Sequence, residues 1–254
     1  MAEQTTLAYR WRNGSLQPIG HPPRVRLDDL LGIERQKNEL MNNTARFVAG
    51  RPANHALLTG SRGTGKSSLV KALLGEFGDR GLRLVEVHPH DLTDLPDVVA
   101  PLRHRAERFV LYVDDFTVAK DDPALAALKA ALDGGLEEAP DNTLIYATSN
   151  RRHLMPEYRS ENEEYRFVDG ELHPGESAED KIALSERFGL WLSFPPFNQD
   201  LYLELVRLHL QRLGHTAWDE ETEKASLRWA LARASRSGRV AHQFARSWAA
   251  QPGS

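Results

Sequence analysis

The chain has no cysteine, which excludes disulfides, thiolate metal sites and cysteine nucleophiles. It has no apolar run approaching the ~18–20 residues that a membrane-spanning helix needs. Its first six residues, Met-Ala-Glu-Gln-Thr-Thr, lack both the basic stretch and the apolar stretch of a secretory leader. A soluble, cytoplasmic chain with no membrane partner is expected. A strong charge of either sign is also missing: 36 acids face 32 Lys and Arg, a formal net charge of −4, so no global pull toward nucleic acid follows. No internal repeat or low-complexity tract occurs. One absence is local. From Lys224 to Ser254 there is no acid, yet Lys224, Arg228, Arg233, Arg236, Arg239 and Arg246 all fall there.

What is present suits one α/β domain with a small appendage, for which 254 residues suffice. Apolar, strand-like runs recur at His55–Thr59, Leu82–Val87, Phe109–Val113, Thr143–Thr148 and Leu190–Phe194. Helical stretches lie between them, at Lys66–Phe77, Asp94–Ala106, Ala124–Leu132 and Glu179–Phe188. Near-continuous apolar strands alternating with helices predict a parallel sheet covered on both faces. Ligands of such sheets sit beyond the carboxyl ends of the strands.

The segment from Ala56 to Ser68 carries the strongest chemical signal. An apolar strand leads into a glycine-rich turn, and Lys-Ser opens an apolar-periodic helix. This is G-x-x-x-x-G-K-[ST] in the strand–loop–helix context that the pattern requires. Gly60, Ser61, Arg62, Gly63, Thr64 and Gly65 are expected to turn backbone N–H groups toward phosphate oxygens, at the positive end of a helix. Lys66 would reach the β- and γ-phosphates, Ser67 would ligand Mg²⁺, and Ser68 continues the phosphate-binding set. The expected ligand is a nucleoside triphosphate.

A second apolar strand ends in Asp114-Asp115. Mg²⁺ takes hard oxygen ligands, or carboxylates that hold its waters. Asp114 is the candidate for the metal shell and Asp115 for the group that orients and deprotonates attacking water; beside this stands the plainer reading of two strand-capping acids. Asn150 ends the next strand, where its amide would reach the γ-phosphate or the lytic water, or would merely form a turn. Arg187 closes a helix before Gly189, and Arg239 opens the last helix, 239–249. Taken singly, both read as ordinary helix-terminal or surface arginines.

Taken in order, these features resemble the AAA+ ATPases, and more closely a bacterial AAA+ family of unassigned function. The likeness runs from Leu27 to about Arg246, over strings such as Leu30-Leu31-Gly32, Asn42-Asn43-Thr44, Gly63-Thr64-Gly65-Lys66-Ser67-Ser68, Tyr146 to Leu154, Glu171 to Glu176 and Ser185 to Leu190. The resemblance implies a P-loop αβα core with a five-stranded parallel sheet and a C-terminal helical lid. It implies ATP with Mg²⁺, and a homo-oligomer, ring or filament. By position it makes Asn150 the sensor asparagine, Arg187 an arginine finger acting on a neighbouring subunit, and Arg239 the lid sensor arginine; Leu30, Leu31, Gly32 and Ile33 would border the adenine. It supplies no client. Many AAA+ enzymes end the metal strand in Asp-Glu. Here the second acid is Asp115, whose carboxylate sits roughly 1.5 Å short of a glutamate's, so slow hydrolysis is consistent with the sequence.

The expected division is an extended arm over 1–26, a nucleotide-binding core over 27–197 and a lid over 198–254, with Asn198 capping the first lid helix and Gly214 closing it. His88, His90 and Asp91 have spacing compatible with a metal, though a solvated loop fits them better; the same segment lacks the aromatic and glycine of protein-threading loops. Residues 157–180 hold nine acids against Arg159 and Arg166. That acidic stretch could contact a partner, or meet the basic lid of a neighbouring subunit. Nucleic acid on the lid, where arginines interleave with Trp229, Phe244 and Trp248, is the less favoured alternative to an amphipathic lid core. The leading function is an ATPase that remodels or loads a macromolecule. A nucleotide-dependent switch with little hydrolysis is the alternative, and a small-molecule P-loop kinase the weaker one. No Asn-Lys-x-Asp motif of GTPases and no Leu-Ser-Gly-Gly occurs.

Overall fold

The computed structural model describes residues 6–117, 123–133, 140–150, 166–168, 171–173 and 187–250. Its centre is a seven-stranded sheet in the order β2-β1-β4-β5-β6-β3-β9. Five strands are those expected from the apolar runs: β3 (Ala56–Gly60), β4 (Leu82–Glu86), β5 (Arg108–Val113), β6 (Thr143–Ser149) and β9 (Leu190–Phe194). All pair in parallel. β3 lies between β6 and the edge strand β9, so the glycine-rich turn leaves one strand in from the edge of the sheet.

The other two strands come from the segment expected to be an extended arm. β1 (Ala8–Arg12) and β2 (Ser15–Pro18) form a hairpin, and β1 adds in parallel to β4. The turn is Asn13-Gly14, with φ of +51° and +69°. Two residues at positive φ match the right-handed twist of the flanking strands. Trp11 anchors the hairpin: it is buried, and its indole N–H donates to Asp94 at 3.1 Å.

Alternation along the strands divides the core. Ala56, Leu58, Val110 and Tyr112 face one side, with Leu40 and Phe47 of α1 (Glu34–Val48) and Leu69 and Leu73 of α2 (Lys66–Phe77). Leu57, Phe109, Leu111 and Val113 face the other, with Leu95 and Val98 of α3 (Leu95–Val99) and Leu125 and Leu128 of α4 (Pro123–Asp133). A strand buried on both faces must be apolar throughout, which is why these segments read as continuous runs. The Asn42-Asn43-Thr44 string seats α1: Asn43 donates to Asn54 O at 2.8 Å and to Tyr146 Oη at 3.0 Å, deep in the interior.

The helix expected over 94–106 is broken. A 3₁₀ stretch (Pro89–Asp94), α3 and a second 3₁₀ turn (Ala100–Leu102) follow one another. Pro96 is tolerated in a first turn, but Pro101 has no N–H to donate, and a regular helix cannot run through it. Of the helix expected at 179–188, only Arg187 and Phe188 are described residues. β7 (Arg166–Val168) and β8 (Glu171–His173) pair antiparallel, within the acidic stretch.

The C-terminal part is three helices, α5 (Gln199–Arg212), α6 (Glu220–Ala232) and α7 (Gly238–Ala249). Each begins with a side-chain cap: Asn198 accepts from Leu201 N–H, Asp219 from Thr222 N–H and Ser237 from Val240 N–H. Their apolar faces meet in a core of their own, where Phe244 stacks on Trp248 and meets Trp229 edge-on. These aromatics therefore serve the lid core. Among the described residues, no helix is long and apolar enough to cross a membrane.

Candidate functional site

The carboxyl ends of β3, β5 and β6 converge on one cleft of about 590 Å³, in the usual range of small-ligand sites. The glycine-rich turn forms its floor. Gly63 and Gly65 hold φ of +71° and +100°, a region in which a side chain is strained. A Cβ on Gly63 would also lie 2.7 Å from the Ser237 Cβ, so the turn and the lid are in close contact. Gly238 N–H donates to Gly63 O at 2.9 Å.

Lys66 is buried at the base of the turn. Its ammonium donates to the carbonyls of Gly60 and Ser61, both at 2.7 Å, and to Asn150 Oδ1 at 3.1 Å. Burial pulls it down from 10.5 to about 8; Asp115 and Asp114 oppose that fall, and Arg62 adds to it. Asp114 Oδ1 accepts from Ser67 Oγ and from Thr148 Oγ1, each at 2.7 Å. Burial works against its charge, but these hydrogen bonds, together with the nearby Tyr112 hydroxyl and the Lys71 ammonium, outweigh it and hold the carboxyl below its ordinary range. Asp115 has φ +54°; its N–H donates to Thr148 Oγ1 at 3.0 Å, and its carboxylate accepts from the Asn150 amide. Lysine, two acids, asparagine and Ser67 are thus one connected polar group.

Most residues singled out from the sequence meet here. Arg62, Thr64, Ser68 and Leu31 line the same cleft, and Arg239 faces it from α7. Gly32, expected to border the ligand, does not line the cleft: it has φ +72°, and a Cβ there would collide with Leu201 of α5. Arg187 stands apart. Its Nε donates to Asp133 Oδ1 at 2.6 Å, at the end of α4, and it is not part of the cleft wall of its own chain. His88 and His90 stack on each other after β4, and His88 Nδ1 accepts the His90 N–H.

Three contributors were not anticipated. Thr148 bridges Asp114 and Asp115; its signal was its place near the carboxyl end of β6, two residues before Asn150. His209 of α5 and His242 of α7 line the far end of the cleft, their rings 5.1 Å apart and edge-on. Burial lowers His209 from 6.5 to about 4; His242 and Arg212 push the same way, against Asp29. Nothing local in the sequence links two histidines on separate helices. Arg212 also pairs with Asp29, tying the end of α5 to the turn before Leu30 and Leu31.

The donor set fits a triphosphate with its metal. Glycines that open the backbone, a buried ammonium and a helix N-terminus suit phosphate oxygens, and the Ser67 hydroxyl with the Asp114 carboxylate are hard oxygens of the kind Mg²⁺ takes.

The family model described as "Protein of unknown function (DUF815)" matches residues 4–252. The chain belongs to that family. No curated protein matches this DUF815 chain. Among solved structures, a RuvB mutant of Thermotoga maritima is similar with a TM-score of 0.56 and 16% identity, covering 89% of the DUF815 chain and 64% of that chain. The Orc1 protein of Aeropyrum pernix, in complex with DNA, has a TM-score of 0.60 and 14% identity, over 86% of this chain and 59% of that one. The DUF815 chain thus spans less than two thirds of the length of these neighbours. At such identities the likeness is one of fold, and the fold of the DUF815 chain is that of the AAA+ ATPases.

Proposed function

We propose that this protein binds ATP with Mg²⁺ and hydrolyses it, as an oligomer in which Arg187 of one subunit serves its neighbour, in order to remodel or load a macromolecular partner in the cytoplasm. The observation that carries the reading is the single hydrogen-bonded group of Lys66, Asn150, Asp115, Asp114, Thr148 and Ser67, at the mouth of a glycine-rich turn.

In this reading the residues divide the work. Lys66 exchanges the Gly60 and Ser61 carbonyls for phosphate oxygens. Ser67 and Asp114 hold the metal, which when bound supplies Lewis-acid neutralisation of phosphate charge. Asp115 and Asn150 orient water in line with the terminal phosphorus, and Asp115 accepts its proton. Arg239 reaches the terminal phosphate from the lid, and the core 27–197 and lid 198–254 close on each other around the ligand. Charge that builds on the transferring phosphoryl group calls for a further cation, and an arginine supplied in trans contributes on the order of 10³–10⁵ in rate. Arg187 would first have to leave Asp133.

One observation favours a second reading, a nucleotide-dependent switch with little hydrolysis. The Asp115 carboxylate is short and is engaged by Asn150. Nucleic acid is a weaker candidate for the partner. Orc1 is described in complex with DNA, and for this chain only the exposed lid arginines argue for it.

ATP turnover per subunit against protein concentration separates these readings, with Lys66→Ala as control. A rate that rises and saturates supports a site completed by assembly. Tight binding without turnover supports the switch, and no binding removes both.

A further inference from the structure

A second cavity of about 590 Å³ lies against the outside of the phosphate-binding turn. Its floor is apolar: Pro196 and Phe197 at the junction of core and lid, and Leu227 and Leu231 of α6. Leu231 is 80% exposed, the most exposed large apolar side chain described. Arg62, Arg228 and Arg236 stand around this floor. Among the described residues, none of the three makes a hydrogen bond or ion pair. A cationic rim without anions, around an uncovered apolar floor, lacks both of its natural complements.

The same chain carries a segment of the complementary kind. Residues 157–180 contain nine acids, with Tyr158, Tyr165, Phe167, Val168 and Leu172 among them. We propose that this groove receives the acidic 157–180 segment of a second copy of the chain. The acids would pair with Arg228, Arg236 and Arg62, while an aromatic or aliphatic side chain covers Leu231. Phosphate-backbone binding would use the arginines but leave the apolar floor uncovered, so a peptide with both features fits better.

The placement has a consequence for the trans reading of Arg187, on which this inference rests. Arg62, Thr64 and Phe197 wall both the groove and the candidate nucleotide cleft. Arg187 follows Asp180 by seven residues, a reach of at most about 25 Å in extended chain. A neighbour held by its acidic segment in the groove is therefore held with Arg187 within range of the phosphate-binding turn. Docking through charge also makes assembly sensitive to salt.

The test is charge reversal in the full-length protein, Arg228→Glu with Arg236→Glu, neither of which lines the nucleotide cleft. Sedimentation with ATP should show that half-assembly needs at least tenfold more protein, with saturated turnover per subunit reached only at that higher concentration. ATP binding to the dilute protein should not change. Reversing Glu161, Glu163 and Glu164 to Lys in the same chain should restore assembly. Unchanged assembly, a failed rescue, or lost DNA binding with normal assembly would each overturn the groove assignment and leave the ATPase reading standing. A wild-type protein that binds no ATP would remove the ATPase reading itself.

Discussion

At the scale of single residues, the site runs on a few proton-sensitive and hydroxyl-bridged contacts. Lys66 sits at about 8 in the free protein, whereas phosphate oxygens favour the ammonium. ATP affinity is therefore expected to hold below pH 8 and to fall above it, by up to tenfold per pH unit. Calorimetry at pH 8.5–9 in buffers of different ionisation heat should register proton uptake on binding. The sign for stability is opposite. Between about 8 and 10.5 the unfolded Lys66 holds a proton that the folded one has lost, so this residue makes stability rise with pH across that window. Thr148 is the second test. Thr148→Val leaves the Asp115 N–H without its acceptor and takes one donor from Asp114. A loss of about 1–3 kcal/mol in denaturant unfolding is expected, together with weaker Mg²⁺-dependent binding; an unchanged midpoint would mean that water replaces the hydroxyl. Lys66 and Ser67 were legible in the sequence because adjacency fixes their geometry, whereas Thr148 acts through two residues on another strand.

At the scale of elements, local chemistry was readable wherever it was sufficient. Lys66–Phe77 and Leu190–Phe194 occupy the predicted spans, and Asn198 caps α5 as its position implied. The Asn13-Gly14 turn carried a hairpin signal of its own, but the short flanking runs and nearby Pro18, Pro22 and Pro23 suggested an arm. What makes Ala8–Arg12 a strand is the open edge of β4, which lies over 70 residues away in the chain. The α6–α7 connection offers a prediction. Ala234 holds φ +47°, which costs an L-residue about 1–2 kcal/mol. Ala234→Gly removes that cost but adds about 0.5–1 kcal/mol of unfolded-chain entropy. A net gain of about 0–1.5 kcal/mol should appear in equilibrium unfolding; a destabilised variant would mean that the methyl group packs usefully in the groove it lines.

For the whole molecule, the question is whether one chain holds a complete site. Arg187 pairs with Asp133 and stays outside the cleft of its own subunit. Arg187→Ala is expected to lower turnover by on the order of 10³-fold while ATP binding persists. Mixing that variant with Lys66→Ala protein should restore part of the activity, because each supplies what the other lacks. Normal turnover by Arg187→Ala at every protein concentration would remove the trans assignment. The amino-acid sequence by itself determined the glycine-rich turn between a strand and a helix, the acidic strand end, the parallel αβα pattern and the C-terminal helices, because each depends on residues a few positions apart whose chemistry is local. Only the tertiary structure decided that the N-terminal hairpin extends the sheet, that His209 and His242 share a cleft with Leu31, and that three arginines ring an uncovered apolar groove. Those features are contacts between distant segments, and pattern along a chain carries no distance across it.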